Sequence, residues 1–215
     1  MPQRLGILGG SFDPIHLGHL RSAEEVREAL TLDRVYFVPA NHPPHKPERR
    51  LAEGGARLAM LEIAIAGNPA FRASPVELER GGTSYSIDTL QSFATTEPGA
   101  LLFFIVGIDT FREIHTWKDV ARLFEAASVV VTSRPPNAVE RSIQHLPVAA
   151  QEAFCYDSAT LSYRHRSGTR LCFLSIAGID VSATDIRERA HRGQSIRYLV
   201  PADVERYIQQ HGLYR

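Results

Sequence analysis

The sequence has 215 residues, of which 44% are hydrophobic and 22% charged, a composition that fits a single α/β domain spanning residues 1–215. Its 24 lysine and arginine residues balance 24 aspartate and glutamate residues, so the net charge gives no sign of a nucleic-acid partner. Two cysteines, Cys155 and Cys172, are too few for a disulfide framework, and there is neither a signal peptide nor a membrane span. We therefore expect a cytoplasmic protein with reduced thiols.

The first part of the chain predicts a β-α-β unit. Residues 5–8 form a short apolar run that ends at two glycines, which indicates a buried strand. Residues 18–30 have apolar side chains at helical spacing, and residues 35–38 predict a second strand that Pro39 ends. This order of elements is typical of a parallel sheet.

The rest of the chain continues the alternation of strands and helices. Further helices are predicted at residues 54–66, 87–95, 117–126, 183–192 and 202–211, and further strands at residues 101–106, 128–132 and 171–176. Either Ser84 or Ser86 is expected to cap the helix at residues 87–95. The pattern predicts a doubly wound, Rossmann-like parallel sheet. Residues 41–50 are expected to form a surface loop, and residues 137–168 have no clear period.

The strongest local signal is the string GGSFDPIHLGH at residues 9–19, between the first strand and the first helix. Glycines allow a backbone to approach an anion closely, and a helix N-terminus offers N–H groups and partial positive charge. His16 and His19 are three residues apart at the first helical turn, so they share a face and can both donate hydrogen bonds to phosphate. A tight turn with two surface histidines, or a metal site that includes Asp13, is the alternative.

This string resembles the GGxFDPxHxGH signature of the HxGH nucleotidyltransferase superfamily. Over nearly its full length, the chain resembles the bacterial nicotinate-nucleotide adenylyltransferases. The resemblance implies transfer of AMP from ATP to nicotinate mononucleotide, which gives nicotinate adenine dinucleotide and pyrophosphate in NAD biosynthesis. It implies no nucleic-acid or membrane partner, and it leaves the oligomeric state open.

Three segments carry the resemblance on the ATP side. Residues 43–46 resemble the PPHK loop of the family, residues 182–187 resemble its SxTxIR motif, and residues 133–135 resemble its RRP or SRP turn. The resemblance assigns catalysis to His16, His19 and Arg187. It assigns ATP and phosphate binding to Gly9, Gly10, Ser11, Phe12, Lys46, Arg134, Ser182 and Thr184, with Ser182 or Thr184 capping the helix that carries Arg187.

Two further segments carry the resemblance on the acceptor side. Residues 84–86 resemble the SYT segment of the family, with Ser86 in place of threonine. Asp109 follows a buried strand and is expected to bind a ribose hydroxyl, whereas Trp117, the only tryptophan, would stack on the pyridine ring. The resemblance thus places Ser84, Tyr85, Ser86, Asp109 and Trp117 at nicotinate mononucleotide.

The chemistry requires positioning more than proton transfer. A phosphate monoester has a second pKa near 6, so the attacking 5′-phosphate is already ionised at neutral pH and needs no general base. Mg²⁺ is expected to be carried on ATP, and no cluster of carboxylates predicts a metal ligand in the protein. The alternatives are an adenylyltransferase for phosphopantetheine, a cytidylyltransferase, or a non-catalytic nucleotide sensor with the same fold.

Overall fold

A computed structural model describes residues 1–43, 51–133 and 141–215. The strands of this part of the chain are β1 (Arg4–Gly10), β2 (Arg34–Pro39), β3 (Phe71–Ala73), β4 (Leu101–Gly107), β5 (Ser128–Ser133), β6 (Phe154–Asp157), β7 (Ser162–His165) and β8 (Arg170–Ser175). Its helices are α1 (Leu17–Ala29), α2 (Gly54–Ile65), α3 (Val76–Arg80), α4 (Ser86–Thr96), α5 (Ile108–Arg112), α6 (Val120–Ala126), α7 (Val148–Gln151), α8 (Ala183–His191) and α9 (Ala202–Gln210).

The strands form one sheet in the order β3-β2-β1-β4-β5-β8-β7-β6. The first six strands of this order, from β3 through β8, pair in parallel. The last two pairings, β8 with β7 and β7 with β6, are antiparallel. The strand order reverses direction between β1 and β4, where loops leave in opposite directions and open a crevice. This confirms the predicted doubly wound sheet and places a cleft at the carboxyl ends of β1 and β4.

Both faces of the sheet are buried under helices. Alternate residues of β4 belong to different hydrophobic clusters: Phe104 and Val106 pack in one, and Phe103 and Ile105 in the other. The first cluster includes apolar residues of α4 and α6, and the second includes those of α1, α2, α8 and α9. This two-sided burial explains why β4 is a continuous apolar run in the sequence.

The structure also places elements that the sequence pattern did not predict. Within residues 141–168, the chain forms α7 and an antiparallel β6–β7 hairpin that extends the edge of the sheet. These strands have four residues each and are only partly buried, so they give no apolar run. Strand β3 has three residues, and helices α3 and α5 have five each, which is too short for a periodic pattern.

Two helix starts differ from the prediction. The helix predicted from residue 117 begins at Val120, because Asp119 has a left-handed backbone with φ of 51° and Trp117 follows a 3₁₀ turn. The N-cap of α4 is Tyr85, which makes no capping bond with its side chain. Ser84 does not cap this helix, since its hydroxyl accepts a hydrogen bond from the Asn41 backbone N–H at 2.9 Å.

None of the helices in the described residues combines the length and the apolar character needed to cross a bilayer.

Candidate active site

The two histidines lie in contact at the start of α1. His16 is the N-cap of this helix, and its Nδ1 accepts a hydrogen bond from the His19 backbone N–H at 3.4 Å. The two imidazole rings stack with centroids 3.6 Å apart and planes 20° from parallel. Phe12 packs edge-on against His19 at 5.1 Å between ring centroids. The histidines therefore share one face, as their spacing predicts.

Gly18 lets this pair approach the segment before α8. A Cβ atom at Gly18 would lie 2.9 Å from the carbonyl oxygen of Ile179 and 3.1 Å from the His16 ring. A contact of 2.9 Å with a backbone atom cannot be relieved by a side-chain movement. The glycine between the histidines thus brings α1 against the chain that leads to α8.

Asp13 is buried and holds the loop between β1 and α1 to distant parts of the chain. Its carboxylate accepts hydrogen bonds from the Tyr214 hydroxyl at 2.7 Å and from the Ala52 backbone N–H at 3.3 Å. These partners show a carboxylate that organises the loop. Among residues 1–43, 51–133 and 141–215, no group of three or more histidine, cysteine, aspartate or glutamate side chains is placed to hold a metal.

Arg57 supports the same loop from α2. It is buried, and its guanidinium donates to the backbone carbonyls of Ser11 at 2.8 Å, Ala40 at 2.7 Å and Ala52 at 2.9 Å. Burial lowers the pKa of the Arg57 guanidinium, and the nearby Asp13 carboxylate opposes that shift. The residue joins the ends of β1 and β2 to the start of α2.

Arg187 reaches the loop from α8. Its guanidinium donates to the Asp13 carbonyl at 2.5 Å and to the Thr184 hydroxyl at 3.1 Å, and lies 3.8 Å from Asp13 Oδ2. The side chain is 19% exposed and lines the cleft. Ser182 caps α8, with its hydroxyl accepting from the Thr184 N–H at 3.2 Å. Ser182 and Thr184 therefore position α8 and Arg187, and neither lines the cleft.

The predicted acceptor residues line the other part of the cleft. Trp117 packs edge-to-face on Phe104 with 5.9 Å between ring centroids. Lys118 lies 4.7 Å from the centroid of the Tyr85 ring, and its ammonium also pairs with Asp88 at 3.1 Å. Asp109, on α5, is exposed and pairs with Arg112 at 3.2 Å.

These groups share one cleft with a volume of about 560 Å³. Its lining includes Gly9, Gly10, Ser11, Phe12, His16, His19, Ser84, Tyr85, Ser86, Asp109, Trp117 and Arg187. Lys46 and Arg134 lie outside the described residues. Three charged residues of this lining, Glu77, Glu113 and Lys118, were not predicted from the sequence. A single buried glutamate on a five-residue helix leaves no pattern in a sequence, whereas Lys118, next to Trp117, could have been found from its position.

The chain is similar in sequence to known proteins. Residues 7–189 match the model of the cytidylyltransferase-like family. A probable nicotinate-nucleotide adenylyltransferase of Trichlorobacter lovleyi is 47% identical over 212 residues, which cover 99% of both chains. One from Geotalea uraniireducens is 49% identical over 213 residues, 98% of both chains.

The fold is also similar to that of solved structures. The nicotinic acid mononucleotide adenylyltransferase of Plasmodium falciparum complexed with NaAD superimposes with a TM-score of 0.75 at 16% identity, covering 99% of this chain and 97% of that one. A putative nicotinate-nucleotide adenylyltransferase from Vibrio parahaemolyticus gives a TM-score of 0.67 at 17% identity, covering 99% and 96%.

Proposed function

The chain belongs to the nicotinate-nucleotide adenylyltransferases of the cytidylyltransferase-like family, and from this premise we propose how its cleft carries out their reaction. The enzyme transfers the adenylyl group of ATP to nicotinate mononucleotide in NAD biosynthesis. One observation carries the assignment of residues: the stacked His16–His19 pair, Arg187 and Trp117 line a single cleft.

The acceptor's 5′-phosphate is the nucleophile. One of its oxygens attacks the α-phosphorus of ATP, a new P–O bond forms, and the bond between the α-phosphorus and the bridging oxygen breaks as pyrophosphate leaves. Because that phosphate is ionised near neutral pH, the protein has only to align the two groups and neutralise charge.

The histidines would bind the α-phosphate. Because His16 Nδ1 accepts a hydrogen bond from the His19 N–H, the proton of a neutral His16 ring belongs on Nε2. From Nε2, His16 would donate to a phosphate oxygen of ATP. His19 would donate from the next position on the same face.

The remaining phosphates would be held by cationic side chains and backbone N–H groups. Arg187, kept in place by the Asp13 carbonyl, would bind phosphate oxygens through its fork of donors. Backbone N–H groups of residues 9–12 would add to this cradle. Lys46 and Arg134, outside the described residues, are proposed to contribute further positive charge.

Mg²⁺ would enter with ATP as part of the substrate. The histidine and arginine side chains and backbone N–H groups at the phosphate end of the cleft suit phosphate oxygens, and the Asp13 carboxylate there accepts hydrogen bonds from Tyr214 and Ala52. The ion's ligands would therefore be supplied by the triphosphate and water, and it would neutralise charge on the leaving pyrophosphate. We expect the reaction to take place in the cytoplasm, where ATP is available.

Nicotinate mononucleotide would bind between α4 and Trp117. The first backbone N–H groups of α4, which begins at Ser86, have no partners within the helix and suit a carboxylate. Trp117 would stack on the pyridine ring, and Asp109 would accept a hydrogen bond from a ribose hydroxyl. Ser84 and Tyr85 would form the wall beside the ring.

Pyrophosphate release with a small panel of acceptors tests the proposal. With ATP and Mg²⁺, we expect release on addition of nicotinate mononucleotide and formation of nicotinate adenine dinucleotide. Turnover with phosphopantetheine instead would move the chain to the other adenylyltransferases. Binding of ATP without turnover of any acceptor would indicate a nucleotide sensor.

A further inference from the structure

Glu77 is a buried acid that has no part in the mechanism above. It lies on α3, lines the cleft, and is only 6% exposed. Burial raises the pKa of the Glu77 carboxyl, while hydrogen bonds from Thr89 and Ser84 oppose that shift. Burying a carboxyl group destabilises the folded protein unless hydrogen bonds compensate for the lost water. The hydrogen-bond partners of Glu77 therefore indicate its role.

Two hydroxyl groups converge on this carboxyl group. Thr89, itself buried on α4, donates a short hydrogen bond to Glu77, and the Ser84 hydroxyl is bonded to the same carboxyl group. Arg80 donates to the Thr89 hydroxyl at 3.3 Å. The Ser84 oxygen also accepts from the Asn41 N–H at 2.9 Å.

The carboxyl group therefore ties three segments together. Through Thr89 it holds the first turns of α4, and through Ser84 it holds the loop before that helix. Ser84 in turn connects this loop to Asn41, just beyond the end of β2. Glu77 is thus linked to the chain on both sides of residues 85 and 86, which line the cleft.

We propose that Glu77 is a positioning residue for the acceptor: it fixes residues 84–86 and the start of α4 where nicotinate mononucleotide binds. The inference rests on the proposed function, which places the acceptor against these residues. The ATP side of the cleft is held by a separate set of contacts, those of Asp13, Arg57 and Arg187. Loss of Glu77 should consequently affect one substrate and spare the other.

The decisive measurement is the KM of each substrate in matched variants. Glu77→Ala removes both hydrogen-bond acceptors, and we expect the KM of nicotinate mononucleotide to rise by about tenfold or more while that of ATP stays within about twofold. Glu77→Gln keeps one acceptor oxygen, and we expect a rise of about threefold. Glu79→Ala, on the exposed side of the same helix, is the control and should leave both KM values unchanged.

Thr89 provides an independent test that preserves the charge of Glu77. Thr89→Val removes the hydroxyl at nearly constant volume, and we expect the KM of the acceptor to rise selectively. Thr89→Ser restores the hydroxyl and should return that KM towards the wild-type value. If Glu77→Ala does not fold, Glu77→Gln and the two Thr89 variants still decide the question.

A purely structural role would lower the melting temperature and leave the ratio of the two KM values unchanged, and this result would overturn the inference. Calorimetric measurement of nicotinate mononucleotide binding tests the inference about Glu77 separately from the proposed function. A wild-type protein that binds the acceptor but releases no pyrophosphate contradicts the function alone, and the dissociation constants of the variants then test Glu77. A protein that does not bind the acceptor overturns both.

Discussion

His19 is the residue whose replacement separates catalysis from folding most clearly. It lies in the first turns of α1, where alanine is well tolerated, while its ring stacks on His16 at the cleft. We expect His19→Ala to fold normally and to lose roughly 10²- to 10³-fold in kcat, the usual effect of removing one preorganised donor to developing charge. Steady-state pyrophosphate release and circular dichroism provide the two measurements.

His191→Ala is the matched control, because His191 is exposed in the last turn of α8. It should retain wild-type turnover. A folded His19→Ala enzyme with near-normal kcat would mean that His19 is only a surface residue and that His16 and Arg187 carry the phosphate contacts.

Single residues were predictable where a motif marks them. The string at residues 9–19 is contiguous, so His16 and His19 could be paired from spacing alone. Asp13, by contrast, depends on Tyr214, and Glu77 depends on Thr89 and Ser84. These partners meet only when separate elements pack, and no local pattern records such a contact.

At the scale of elements, the start of α4 is expected to set the preference for acid over amide. Backbone N–H donors serve a carboxylate well, whereas the NH₂ of nicotinamide would face them and leave one unpaired. We expect at least about a 10²-fold preference in kcat/KM for nicotinate mononucleotide, because an unpaired donor costs about 1–3 kcal/mol and a charge-assisted bond is lost as well.

Trp117 should affect both substrates alike, because its proposed contact is with the pyridine ring and not with the substituent of that ring. Trp117→Ala is expected to weaken the acid and the amide by similar factors, as measured by kcat/KM. Equal values for acid and amide in the wild type would instead indicate a dual-specificity enzyme. A changed ratio in Trp117→Ala would make the tryptophan part of the selection.

The β6–β7 hairpin should make stability depend on pH through His165. This ring is buried against Phe124 and Phe154, and its Nδ1 accepts from the Ser167 N–H at 3.2 Å. Burial and the charge of Arg166 lower its pKa from the ordinary value of 6.5. The unfolded chain then binds the proton more readily, so stability is full above pH 6.5 and falls as the pH drops from there towards the folded-state pKa.

Urea unfolding at a series of pH values measures this dependence. A single proton gives a slope of at most about 1.4 kcal/mol per pH unit, and His165→Asn should remove that contribution. His191→Ala, with an exposed ring, should keep the wild-type slope. An unchanged slope in His165→Asn would assign the acid sensitivity to another group.

Elements were predictable in proportion to their length and burial. Strands β1, β4 and β5 are covered on both faces and follow apolar runs, so their positions were found. The hairpin strands are short, lie at the edge of the sheet and are only partly buried, which weakens the pattern of alternation. The start of α6 was misplaced because the left-handed turn at Asp119 has no sequence signal of its own.

On the scale of the whole molecule, a contact between Asp13 and Tyr214 joins residues 201 positions apart. We expect Tyr214→Phe to lower the free energy of unfolding by about 1–2 kcal/mol, because a buried carboxylate loses a donor. Urea denaturation provides the value, and a single transition is expected if residues 1–215 form one domain.

Tyr207→Phe is the matched control, because this half-buried ring stacks on His211 and packs against the second hydrophobic cluster, and phenylalanine keeps both contacts. It should leave stability nearly unchanged. Equal stability of Tyr214→Phe and the wild type would mean that Ala52 and Arg187 suffice to hold Asp13.

The contact between Asp13 and Tyr214 also requires that both ends of the chain have been synthesised. Residues 13 and 214 are separated by 201 steps of synthesis, which take about 10–40 s at roughly 5–20 residues per second. A nascent chain therefore exposes its complete histidine motif long before Arg187 and Tyr214 emerge to fix the loop that carries it. Until residue 214 has emerged, Asp13 lacks the hydrogen bond from Tyr214 that holds this loop in the folded protein.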